Sequence, residues 1–146
     1  MEAEIRQIFT QDLINRFCAN TKCKIENSEE IKILRGASRA GTGIYDLLFH
    51  LDTSIMGPWN KSTMYSIDKI KPYFRSISTM TKEDCYKLET YLLEKCIDPS
   101  MSLLLNSMCG FSVRRFYLNA WFYANNFDVN NLIEKGCALE APEGMY

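Results

Sequence analysis

Gly36, four intervening residues and Gly41-Thr42-Gly43 come close to the spacing of a phosphate-binding loop. Such a loop needs Lys followed by Ser or Thr after the second glycine, for charge and for metal ligation. Thr42-Gly43 stands there instead, with no strand pattern before it, so close packing or a bent helix is the better reading. His50 is the only histidine. A single histidine makes the usual zinc sites only with cysteine partners, and the chain has no Cys-x-x-Cys pair. A Cys–His hydrolytic pair has no local signature either. Glu29-Glu30 and Glu83-Asp84 fall at expected helix starts, where the helix dipole accounts for them. Arg114-Arg115 is either a solvated stripe or the partner of a buried carboxylate. Asn60-Lys61-Ser62 is a glycosylation sequon, discounted because no secretory signal is expected from the charged residues 1–7. These residues predict no catalytic group, no metal, no cofactor and no enzyme.

The 146 residues suggest one domain, 1–146, large enough to bury a core. A formal net charge of −1 gives no field that favours nucleic acid. No run approaches the roughly 18 apolar residues of a membrane span, so no transmembrane tail is expected. Of the six cysteines, Cys18, Cys85, Cys96 and Cys109 fall on apolar stripes, which predicts reduced, structural thiols.

Helical periodicity dominates this reading. Ile5, Ile8, Phe9, Leu13 and Phe17 predict an amphipathic helix over about 3–19. Ser28 starts a second, with Ile31, Leu34 and Ala37, which resumes at Ile44, Leu47, Leu48 and Leu51 after a glycine-rich break. Ile67, Ile70, Tyr73, Phe74 and Ile77 predict a third, kinked or cut short by Pro72. Thr81 with Asp84 resembles a capping box for a helix over 82–96, with a stripe of Cys85, Leu88, Leu92 and Cys96. Asp98-Pro99 opens a long apolar helix to 124. Asn125-Asn126 turns the chain, and Asp128 caps a short helix over Val129 to Lys135 that Gly136 ends. The expectation is an all-α bundle of about seven helices.

Trp121, Asn125-Asn126, Phe127-Asp128 and Leu132-Ile133 are similar in order to the second homology motif of the Bcl-2 family of apoptosis regulators. That motif runs Trp, Asn-Gly, Trp-Asp and apolar residues, and Phe127 stands for its second Trp. Tyr73-Phe74-Arg75, with Lys82 downstream, resembles a degenerate first motif in which Lys82 replaces an arginine. Leu34 to Arg39 would hold the third motif, with Arg39 in place of its aspartate. The resemblance implies a Bcl-2-like bundle with an apolar central hairpin and the degenerate motifs of homologues carried by large DNA viruses.

It further implies an inhibitor of apoptosis that sequesters pro-apoptotic Bcl-2 proteins by holding their BH3 helix in a hydrophobic groove. Tyr45, Phe49, Met56, Ile70, Tyr73 and Phe74 would line the groove, and Lys82 would meet the aspartate of the ligand. Trp121, Asn126, Phe127 and Asp128 would hold the scaffold. The protein would be cytoplasmic and reach mitochondria peripherally through its partners. Two alternatives stand beside this reading. One is a Bcl-2-fold viral immunomodulator that blocks innate signalling without binding BH3 ligands; the other is a homodimer whose groove is occluded.

Overall fold

The computed structural model describes residues 1–41, 47–52, 63–96 and 114–146. Helix α1 (Ala3–Ile14) turns Phe9 and Leu13 fully inward, and the chain leaves it through turns that end at Asn20 in a left-handed conformation. Strands β1 (Lys22–Ile25) and β2 (Ile31–Arg39) form a hairpin, and its turn uses Asn27 at φ 62°. Strand β3 (Leu47–Asp52) pairs with β2 and with β4 (Thr63–Ser66). A 3-10 turn over Ile67–Lys69 leads into β5 (Ile70–Phe74), and a second one over Ile77–Thr79 precedes helix α2 (Lys82–Cys96). Helix α3 is described over 114–124, and β6 (Leu139–Glu140) closes the sheet.

The strand order is β4-β3-β2-β1-β5-β6, antiparallel throughout except for the parallel β5–β6 pair. One sheet face carries Cys23, Ile25, Leu34, Phe49, Leu51, Ile70 and Phe74, and α1 covers it with Phe9 and Leu13. Leu132 and Ala138 complete this core from the far end of the chain.

The fold is therefore mixed α/β. It overturns the expected all-α, Bcl-2-like bundle of about seven helices with an apolar central hairpin, because the described residues hold six strands and three helices. Residues 31–39 and 47–52, expected as helix, are β2 and β3. Their core-facing Leu34 and Ala37 stand three apart because a bulge between Leu34 and Gly36 adds a residue to the strand, and that spacing imitates a helix. Ile67, Ile70 and Phe74 imitate one too, since a 3-10 turn feeds a strand at i, i+3, i+7 spacing. Pro72 lies in β5 opposite Cys23, not in a kinked helix. The first helix ends at Ile14 rather than near 19. Asp128 does cap, accepting from Leu132 N (2.8 Å) and Ile133 N (2.9 Å), but it caps turns rather than a helix over 129–135. The helix over 82–96 is present, with its reciprocal box: Thr81 N–H donates to Asp84 Oδ2 at 2.9 Å and Asp84 N–H to Thr81 Oγ1 at 3.1 Å.

Candidate functional site

The corner after α3 is built for packing. Asn126 takes φ 59°, a conformation its short polar side chain tolerates, and is itself buried. Its amide donates to Ala19 O at 3.0 Å and its side-chain oxygen accepts from Thr21 Oγ1 at 2.6 Å. The Phe127 ring stacks on Trp121 at 5.7 Å, and the Arg75 guanidinium lies 4.3 Å from its centre. Arg75 also bridges the corner through its backbone, donating to Asn126 O and accepting from Asp128 N. Beneath them Arg16, fully buried, binds both carboxylate oxygens of Asp12 and donates to Phe127 O at 2.7 Å. The rings of Phe74 and Tyr123 face its guanidinium at 3.9 and 4.9 Å.

Arg75 also reaches the start of α2, where it pairs with Asp84. That guanidinium, with the Thr81 donors, holds the Asp84 carboxyl down at about 2, so Asp84 is ionised and occupied at neutral pH. Two recesses of about 440 and 490 Å³ flank this joint and share Arg75, Thr81 and Tyr146 as walls. The Tyr146 hydroxyl accepts from Lys22 N and donates to Tyr73 O, each at 2.9 Å. It thereby continues the β1–β5 ladder, whose last pair is Cys23–Pro72. The charged groups of α2 at the joint are paired, Glu83 with Lys87 and Asp84 with Arg75, which makes this a structural joint.

The described residues of the expected groove are spread between the core and the surface. Phe49, Ile70 and Phe74 are at most 2 % exposed and belong to the sheet's core, Phe49 against the edge of Phe17. Tyr73 lies half-buried on β5 opposite Leu139, while Lys82 is exposed at the head of α2. Tyr45 and Met56 lie outside the described residues. The thiol expectation reverses in part: Cys18 and Cys85 are exposed, Cys23 and Cys137 are buried, and burial raises the pKa of both buried thiols. His50 Nε2 hydrogen-bonds Ser38 Oγ at 2.9 Å. Among the described residues no cluster of His, Cys, Asp and Glu could hold a metal, and no helix is long and apolar enough to cross a membrane.

The surface that stands out is α2 itself. None of the residues from Lys82 to Lys95 is buried. Leu88, Tyr91 and Leu92 are half-covered on one side, where Tyr91 meets Tyr117 of α3 edge-on at 6.3 Å. On the opposite side Lys82, Tyr86, Glu89 and Leu93 follow one another at i, i+4, i+7 and i+11, a single helical stripe. Tyr86 is 71 % and Leu93 58 % exposed. The sequence reading missed this stripe although it placed the helix, because it weighed only the face that carries Leu88 and Leu92. It also missed Arg16, whose only signal was an i, i+4 pair with Asp12.

The chain matches no protein-family model, no curated protein and no solved structure.

Proposed function

We propose that this chain is a non-catalytic interaction module that receives an amphipathic helix on the outward face of α2. The observation that carries this is the α2 stripe: two large apolar side chains, both more than half exposed, on a helix with no buried residue between Lys82 and Lys95. Apolar groups presented seven residues apart match the repeat of a facing helix. Among the described residues Lys82 has no ion-pair partner, which supports an acidic group on the helix received.

Capture of a pro-apoptotic BH3 helix is the narrower proposal within this reading. Such a helix would lie along Tyr86 and Leu93, with its aspartate at Lys82. Its groove form has no support, since Phe49, Ile70 and Phe74 are core residues.

The test is an amide-resolved NMR titration of the full chain with amphipathic helical peptides that carry an aspartate. The panel includes BH3 helices and the segment 82–96 of this chain. Shifts should concentrate at Lys82, Tyr86, Glu89 and Leu93 and vanish in Tyr86→Glu. If no peptide moves these amides, the proposal fails.

A further inference from the structure

Resting on α2's outward face as the working surface, we infer that its occupant is a second copy of this chain, with the two α2 helices antiparallel about a two-fold axis. Such an interface is self-complementary, so each stripe residue must find its partner on the same stripe. The stripe Lys82, Tyr86, Glu89, Leu93 has the 4-3-4 spacing of a two-helix seam.

Charge selects the direction. On α2, Asp84 is taken by Arg75 and Glu83 by Lys87, while Lys95 lies 5.9 Å from the Tyr91 ring. Glu94 lies off the stripe, which leaves a cation, Lys82, at the head of the outward face and an anion, Glu89, at the helix midpoint, neither in an ion pair among the described residues. A parallel pair would set Lys82 on Lys82 and Glu89 on Glu89. The antiparallel pair sets Lys82 of each copy opposite Leu93 of the other, one turn from its Glu89, and Tyr86 opposite Glu89. There the lysine stem covers Leu93 and its ammonium reaches Glu89, while Tyr86 fills the middle of the seam.

The seam is small. A helix of 15 residues is about 22 Å long. One such seam buries about 400 Å² per copy, half of what a stable interface of standard size uses. At that size the dimer is a weak one, and its charged part weakens with salt.

Sedimentation equilibrium of the full chain from about 10 µM to 1 mM reads this directly. The expected mass rises from monomer to dimer across that range. Tyr86→Glu should weaken association at least about ten-fold, with an unchanged unfolding midpoint because the residue is exposed. Lys82→Glu and Glu89→Lys should each weaken it, and the double exchange should restore it. A monomer at every concentration, or a dimer indifferent to both Tyr86→Glu and the charge exchange, overturns the inference. A monomer whose α2 amides still respond to peptides of other sequence overturns self-pairing alone. A monomer that responds to none removes the reading of the surface as well.

Discussion

The Asp12–Arg16 pair shows how much one local spacing leaves unsaid. As an i, i+4 pair on a solvated helix it would contribute a few tenths of a kcal/mol. Both side chains are instead wholly out of solvent, and Asp12 also accepts from Asn130 at 2.8 Å. Removing charges from water is costly, so the pair is worth most as a unit. Arg16→Met should lower stability by about 3–5 kcal/mol, because it strands a buried carboxylate. Combining it with Asp12→Leu should recover much of that loss, and urea unfolding of the single and double variants checks both. A double variant as unstable as the single would show that the contact with Phe127 O matters more than the pair. At Tyr146 the expected loss is smaller. Tyr146→Phe leaves Lys22 N and Tyr73 O to find water, at a cost of about 1–2 kcal/mol in the same measurement.

At the scale of elements, helix α2 was legible because its signals are local. Thr81 and Asp84 are three residues apart, and their box depends on nothing distant. Thr81→Ala should therefore cost about 1 kcal/mol, with a lower urea midpoint and an unchanged slope. The strands were illegible for the opposite reason. β1 and β5 do alternate, Cys23 with Ile25 and Ile70 with Pro72 and Phe74, but over runs too short to outweigh a helical pattern. In β2 the bulge at Leu34–Gly36 shifts the period by one residue, and only the pairing with β3 shows it. The corner at Asn125–Asp128 was read in its local chemistry, turn and cap, while its docking onto β5 through Arg75 rests on a bridge between positions 52 residues apart in the chain, Arg75 and Phe127. Of the proposed surface, the sequence held the stripe but not its exposure, since which side of α2 meets α3 is a tertiary fact.

For the whole molecule, the Arg75 joint is where α2, β5 and the α3 corner are fastened together, so its titration should be felt as global stability. Asp84 has a folded-state pKa of about 2 against an ordinary 3.8, mainly because Arg75 hydrogen-bonds its ionised form, with the Thr81 backbone and hydroxyl adding to it. A depressed carboxylate stabilises the fold fully above its unfolded pKa and loses that contribution as pH falls through the folded one. The window is thus about pH 4 down to about pH 2. Tyr146 works from the other side: burial raises its phenol pKa, so its contribution is complete below the unfolded value of about 10 and declines above it. Stability measured by urea unfolding should accordingly be flat near neutrality and fall at both ends. In Asp84→Asn the neutral plateau should drop by about 1–2 kcal/mol, since the charged hydrogen bonds to Arg75 are lost. The acid decline between pH 4 and 2 should become shallower at the same time, while the alkaline limb stays where it is. An acid limb of unchanged steepness would place the acid-sensitive joint elsewhere in the fold.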